Sequence, residues 1–350
     1  MAARPGLDVR AYAVSWRRRG EIGPLVPGDV DVDQRPMPAR PLHALWRHVN
    51  GPPIEWFVGR SDVVHGTNFV VPPTGRAEAV VSVHDLTPLH HPELCDQATL
   101  AYPGLIRRAL GRGAWVHTDS AFVANEVVEA FGAEPSRVRV VNPGIPQLPS
   151  ATEADAAATM HRFLPPGTNR FCLAVGTAEP RKDLPGLVEA FSSVAVSHAD
   201  VALVLAGPPG WGEDALTAAI ETSPVRERIV RTGWLDEVDL AILLERAGVL
   251  AYPSLYEGFG FPPLQAMHAG VPVVATRAGS LPEVLGNGAL LVEPRDHDAL
   301  ASALDACFGD ATLRQRLATA GAAWSAHFSW ERCGEGLEAL YRDMAGGTGG

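Results

Sequence analysis

The chain holds a single lysine, Lys182, against 28 arginines, and it stands in AVGTAEPRKD, residues 174–183. An apolar run, a glycine (Gly176), a short turn and then Arg181 and Lys182 ahead of a helical stretch is a strand–turn–helix layout suited to an anion. Backbone N–H groups at a helix start carry partial positive charge, and two cations add to it. The chemistry that this suits is a phosphate or diphosphate. An Arg-Lys pair beside a turn can also be simply solvated. The preceding strand and glycine, and the lack of any other lysine, favour the phosphate reading.

A second segment, YPSLYEGFGFPPLQAMHA at 252–269, runs from a strand end through a glycine-rich aromatic loop into a helix opened by Pro262 and Pro263. Glu257 falls in the loop and Gln265 about a turn inside the helix, which brings a carboxylate and an amide to one strand's carboxyl end. A glutamate in such a loop, taken alone, is a solvated acid. In a third segment AGSLPE, residues 278–283, follows the strand VPVVAT. Its turn either frees backbone N–H groups for phosphate or is an ordinary strand-to-helix turn capped by Ser280.

The elements that must hold these segments alternate. Ala79–His84, Trp115–Thr118 and Val138–Asn142 read as strands, with helices at Leu94–Leu110 and Phe122–Phe131 between them. Pro143 to Gly167, rich in proline and alanine, reads as a connection. A cleaner alternation follows, with strands at Phe171–Val175, Val201–Ala206, Ile229–Thr232, Val249–Tyr252, Val271–Ala275 and Ala289–Val292. Its helices are Leu184–Ser197, Glu213–Glu221, Glu237–Ala247, Pro263–Ala269 and His297–Phe308, and two more, Ala311–His327 and Trp330–Met344, close the chain. Continuous apolar strands such as VALVLAG suit parallel sheets covered on both faces. The expected architecture is α/β: two doubly wound, Rossmann-like domains facing a central cleft, with ligands at the strands' carboxyl ends. Residues 1–147 form the first domain, 148–167 the linker, 168–328 the second domain, and 329–345 a helix that packs back on the first.

With 350 residues, 46 % apolar and 20 % charged, two ordinary cores can form. Residues 1–150 hold 15 arginines and 15 acids, whereas residues 151–350 hold 14 basic and 25 acidic residues. An acidic second half argues against nucleic acid as a partner. Cys95, Cys172, Cys307 and Cys333 match no zinc or redox spacing and read as buried thiols in a reducing compartment. No apolar run approaches the roughly 18 residues of a membrane span. The expectation is a cytoplasmic protein, at most peripheral to the inner face of the membrane; Arg107, Arg108 and Arg112 on one helix would touch an anionic lipid carrier or be a solvated face.

The three segments, in this order on successive strands, resemble the donor domain of glycosyltransferase family 4. The resemblance extends over 60–345 through VVHGTNF, VSVHDL, Val116–Ser120, VVNPGI, RTGWLDEVDLAILLERA, GSLPEVLG and FSWERC. It implies a GT-B fold and a hexosyl transfer from a nucleotide sugar to a glycan or lipid-linked acceptor. By resemblance, Arg181 and Lys182 neutralise the diphosphate and Glu257 contacts hydroxyls of the transferred sugar. Gly258, Phe259 and Gly260 let backbone approach that sugar, and Leu264, Ser280 and Leu281 line the ribose and phosphate with amides. Gly233, Trp234 and Leu235 lie beside the nucleobase, and His84 is the cleft histidine. His90 and His91 have no such match and read as surface. One departure stands out: Gln265 replaces the glutamate that holds the ribose in the family.

The resemblance further implies retention of configuration by front-face displacement, with no metal cofactor, and GDP-mannose as donor ahead of UDP-glucose. DVDVD at Asp29–Asp33 has the spacing of a metal-binding Asp-x-Asp motif, but no strand precedes it and it reads as solvated acid, as does Asp296–Asp298. The rival activities are a sugar-nucleotide epimerase and a catalytically silent nucleotide-sugar-binding partner. Finally, Asp8–Val14 is expected to be the second strand of its sheet, with the first strand and its glycine-rich loop lacking ahead of it. The competing reading makes Asp8–Val14 the first strand and Trp16–Gly23 the loop; against it, Arg17, Arg18 and Arg19 lie where a loop over the cleft needs small residues.

Overall fold

The structure is a computed structural model that describes residues 4, 6–17, 21–28, 30–33 and 35–346. Arg18, Arg19 and Asp29 lie outside the described residues. β1 (Arg10–Tyr12) and β2 (Asp31–Asp33) pair in parallel as a sheet of their own. The stretch expected to be a solvated loop is therefore a short strand at 31–33, where Asp33 pairs with Arg35 at 2.8 Å. β3 (Val63–Gly66), β4 (Glu78–Val83), β5 (Trp115–Thr118) and β6 (Val138–Val140) form a separate parallel sheet in that order. Helices α1 (Ala39–Trp46), α2 (Glu55–Val58), α3 (Thr87–His90), α4 (Tyr102–Leu110) and α5 (Ala121–Phe131) accompany these strands. Leu42, Ile106 and Val123 from the helices share one core with Val81 and Val116 from the sheet.

The helix expected over Leu94–Leu110 begins only at Tyr102, because Pro103 lacks the N–H that a longer helix would need there. α5 starts on Ser120, whose hydroxyl accepts from Val123 N, and stops at Gly132 with φ 64°. The stretch expected as a linker contains α6 (Glu153–Phe163). Alanine is the strongest helix former, and Thr152 and Asp155 make a reciprocal capping box at its start. Met160 and Phe163 pack on the second domain's core, so this segment belongs to that domain.

In the second domain β7 (Arg170–Val175), β8 (Val201–Ala206), β9 (Ile229–Gly233), β10 (Val249–Tyr252), β11 (Val273–Thr276) and β12 (Ala289–Val292) are all parallel, in the order β12-β11-β10-β7-β8-β9. Every residue of β8 is buried, as its unbroken apolar sequence requires of a strand covered on both faces. The cover includes α7 (Leu184–Ser197), α8 (Glu213–Thr222), α9 (Glu237–Arg246), α10 (Phe261–His268), α11 (Leu281–Leu285), α12 (His297–Gly309) and α13 (Ala311–Ser325). Asp296 caps α12 by accepting from Ala299 N, which is what that acid does. α14 (Trp330–Gly346) crosses to the first domain and buries Leu340 and Met344 against Val80.

Strand order reverses between β7 and β10, and a crevice opens at the carboxyl ends of strands at such a switch point. The turn carrying Arg181 and Lys182 leaves β7, and the loop carrying Glu257 leaves β10. Adjacent strands thereby place the two segments side by side.

Candidate active site

Lys182 and Arg181 lie in a 3-10 turn, Pro180–Lys182, just ahead of α7. Lys182 Nζ donates to Glu257 Oε1 at 2.6 Å and to the Tyr252 hydroxyl at 2.6 Å. Arg181 Nη1 reaches the same Glu257 oxygen at 2.7 Å, and its Nε reaches Glu179 at 2.9 Å. Lys182 and Glu257 are both buried. Burial alone would raise the Glu257 carboxyl, but Lys182 and Arg181 outweigh it and hold it at about 2. Burial pulls Lys182 below its ordinary value in spite of the facing carboxylate. Gly176 (φ 151°) follows β7, and the ideal Cβ position there is 3.3 Å from Lys182 Cε, so glycine leaves the lysine its path.

The loop glycines also allow close approaches within the protein itself. A Cβ on Gly258 would stand 1.8 Å from the carbonyl oxygen of His84, so this glycine lets the two domains touch. Gly260 takes φ 101°, and a Cβ there would meet Leu281 at 2.8 Å. Phe259 is a core residue packed on Phe261 and Phe328. The Ser280 amide already donates to Glu257 O at 2.9 Å and the Leu281 amide to Ala278 O at 3.1 Å, so neither is a free donor here. Nor does Ser280 cap α11 with its side chain; its hydroxyl donates to Phe259 O at 3.2 Å. Leu264 is fully buried in the core, whereas Gln265 beside it is half-buried. Gly233 (φ 70°) ends β9, followed by Trp234, which is 75 % exposed, and the half-buried Leu235. An indole so open to solvent is a ready stacking surface.

His84, at the end of β4, faces this site from the first domain. Its Nδ1 meets Asp119 Oδ2 at 2.7 Å and its Nε2 meets Thr67 O at 2.8 Å. Both partners are acceptors, so both ring nitrogens must carry protons. Burial opposes the charge, but the Asp119 carboxylate and the Thr67 carbonyl prevail and raise the imidazole above its ordinary value.

The domains are joined around the site by contacts that the sequence reading missed. Ser120 donates to Gly258 O at 2.8 Å, and Leu86 N donates to the Tyr256 hydroxyl at 3.1 Å. That hydroxyl in turn donates to Glu126. Glu283 from α11 accepts from Ala121 N at 2.8 Å and Phe122 N at 2.9 Å, capping α5 across the interface. His91, expected at the surface, sits against Tyr256 with ring centroids 5.4 Å apart. Three of the four cysteines are buried, whereas Cys95 is half-exposed. No helix among the described residues is long and apolar enough to cross a membrane.

Two Rossmann-like domains closing over a switch-point crevice that holds two cations and a carboxylate define the GT-B class of glycosyltransferase. The solved glycosyltransferase WaaG, involved in lipopolysaccharide biosynthesis, shares the fold with a TM-score of 0.69 at 19 % identity, over 100 % of this chain and 93 % of that one. Anabaena HepE, solved with UDP and glucose, superposes with a TM-score of 0.70 at 18 % identity over 95 % of this chain and 99 % of its own. A family model described as Glycosyl transferases group 1 matches residues 157–324. O-antigen chain mannosyltransferase B of Escherichia coli is 31 % identical over 279 residues, 77 % of this chain and 71 % of the relative. The MMP alpha-(1->4)-mannosyltransferase of Mycolicibacterium hassiacum is 29 % identical over 233 residues, 64 % of this chain and 53 % of the relative. The chain belongs to the group 1 glycosyl transferases and is a glycosyltransferase.

Proposed function

We propose that this enzyme transfers a mannosyl group from GDP-mannose to a glycan or lipid-linked acceptor, with retention of configuration. The observation that carries the proposal is the convergence of Lys182 and Arg181 on one oxygen of Glu257 at the switch point. In the reaction the acceptor hydroxyl oxygen bonds to the sugar's anomeric carbon as the carbon–oxygen bond to the diphosphate breaks on the same face. The hydroxyl proton passes to the departing phosphate. Arg181 and Lys182 stabilise the charge that collects there, which is the electrostatic work of the site and asks for no metal. Glu257 then accepts from the sugar's hydroxyls, and His84 adds a positive charge from the opposite domain.

Mannose is supported by the relatives named as mannosyltransferases; UDP-glucose ranks second, on the neighbour solved with UDP and glucose. A thermal-shift panel of sugar nucleotides tests the donor, because a bound ligand raises the melting temperature by mass action. GDP-mannose is expected to give the largest shift and, with an acceptor mixture, an α-linked product by proton NMR. No shift from any nucleotide sugar would sink the reading.

A further inference from the structure

In a chain of net charge −11, five arginines converge where α1 meets α4. Arg40, Arg47, Arg108 and Arg112 line a cavity of about 450 Å³. Arg47, Arg108 and Arg112 also line a second, of about 400 Å³, together with Arg107. Among the described residues no aspartate or glutamate lines either cavity. Among the described residues none of the five forms an ion pair with a carboxylate. Burial and the charge of Arg108 together pull Arg112 below its ordinary value, the mark of cations gathered without a counter-charge.

The cluster is held in place. Arg108 Nε donates to Trp46 O at 2.9 Å and Nη2 to Asn50 Oδ1 at 3.0 Å, and Arg112 Nη2 donates to Val71 O at 2.8 Å. Each guanidinium has five N–H donors, so several stay free for an anion. The rest of the larger cavity's wall is chiefly apolar, including Trp46, Val71 and Leu105. Leu45 and Val49, next to it in sequence, are 42 % and 50 % exposed. The cavity also leads toward the site already described. Tyr102 in its wall stacks on Phe69 at 4.5 Å, and Phe69 meets the His84 ring edge-on at 5.4 Å. Phe69 takes φ 57°, which a bulky side chain rarely adopts, and so stands between the cavity and the cleft histidine.

We propose that this cavity binds the phosphate of an anionic amphiphile, a phosphate ester bearing an aliphatic chain. The phosphate sits on Arg47, Arg108 and Arg112, and the chain runs along Trp46 and Leu105 toward Leu45 and Val49. That this ligand is the carrier of the sugar acceptor rests on the proposed function; the binding itself does not.

The test is calorimetric titration of the whole chain, without donor, with farnesyl phosphate below its micellar concentration and with inorganic phosphate. Sedimentation with phosphatidylcholine vesicles, with and without phosphatidylglycerol, tells a free ester from a bilayer headgroup. Arg40→Glu/Arg47→Glu reverses two exposed charges, and Lys182→Ala controls for binding at the donor side. Farnesyl phosphate is expected to bind at least about tenfold tighter than inorganic phosphate, because the chain adds buried apolar area. The charge reversal should weaken it by at least about tenfold, and Lys182→Ala should leave it unchanged. Binding only to phosphatidylglycerol vesicles, lost on charge reversal, supports the cavity with the headgroup as source. Equal affinity for inorganic phosphate, no binding in either arm, or indifference to the charge reversal overturns it. Nucleotide shifts that persist alongside such a failure would leave the proposed function standing.

Discussion

Lys182 Nζ and Glu257 Oε1 stand 2.6 Å apart in a buried ion pair joined by Arg181 at 2.7 Å, so two cations share one carboxylate oxygen. Glu257→Ala would leave both cations without their shared counter-charge, and breaking a buried pair costs about 3–5 kcal/mol. Lys182→Ala should cost less, since Arg181 still faces the same oxygen. The carboxyl is held at about 2 against an ordinary 4.5, so the pair's contribution is present above pH 4.5 and is lost as pH falls through 2. Urea unfolding checks the order; a Glu257→Ala variant as stable as the parent would contradict a dry pair.

The same two cations are expected to carry the reaction. Lys182→Ala and Arg181→Ala should each lower kcat by about tenfold to a thousandfold, because each removes positive charge from the leaving diphosphate. Donor-dependent turnover, measured as nucleoside diphosphate release, reads this out. Parental rates in both variants would remove the diphosphate from this turn.

Gln265 has a half-buried side chain on α10. Gln265→Glu should leave the fold intact and bind the donor as tightly or more so, because a charge-assisted hydrogen bond to a ribose hydroxyl is stronger than a neutral one. Isothermal titration with the nucleoside diphosphate checks this, and loss of binding would assign Gln265 a different contact.

Much of this site was legible as segments and little of it as contacts. VALVLA reads as a strand at Val201–Ala206 because its apolar run is unbroken, and α7 occupies the predicted Leu184–Ser197. β1 lies inside the expected strand Asp8–Val14, whereas β2, read as solvated acid, has three residues, too short for any period to register. Asp119, Tyr252 and Glu283 were missed because their partners lie far off in sequence. His84 is 35 residues from Asp119, Lys182 is 70 from Tyr252, and Ala121 is 162 from Glu283. No local pattern encodes such pairings. At Gly258 the residue type is legible as a demand for close approach, but the approach of His84's carbonyl from the other domain has no local signal.

Glu283→Ala should loosen domain contact, since the carboxylate caps the amides of Ala121 and Phe122 at the positive end of α5. Caps and helix-end charges contribute about 0.5–2 kcal/mol. Faster hydrogen exchange at those two amides, without change in the second domain's sheet, is the expected result. Unaltered exchange would mean that water replaces the cap at no cost.

The last prediction concerns acid. Tyr341 on α14 lies 2.6 Å from His65 Nδ1, His65 Nε2 lies 2.8 Å from Ser82 Oγ, and that oxygen lies 2.8 Å from His117 Nδ1. His117 Nε2 faces the carbonyl of Val141 at 3.1 Å and must therefore donate to it. With both rings neutral, every proton in the chain is then assigned. Ser82 donates to His117 Nδ1, His65 Nε2–H donates to Ser82, and Tyr341 donates to His65 Nδ1. Burial holds both imidazoles neutral: it depresses His65 to about 3, helped by the charges of His117 and His84, and it lowers His117 against the pull of Asp119. A folded pKa below the unfolded one means that the unfolded chain binds more protons. This contribution is therefore present above pH 6.5; for His65 it falls as pH drops from 6.5 toward 3, by up to about 1.4 kcal/mol per pH unit, and His117 acts in the same direction. Tyr341 is the donor that α14 contributes, so hydrogen-exchange protection across 330–346, taken relative to the intrinsic amide rate at each pH, should fall between pH 7 and pH 5. Tyr341→Phe should mimic acid at pH 7, because it leaves His65 Nδ1 without a partner at a cost of about 1–3 kcal/mol. His65→Asn should flatten the pH dependence by one proton's worth. A slope unchanged in His65→Asn would show that this ring takes up its proton as readily in the fold as in the unfolded chain, which contradicts the neutral ring on which the hydrogen-bond directions from Tyr341 to Val141 rest.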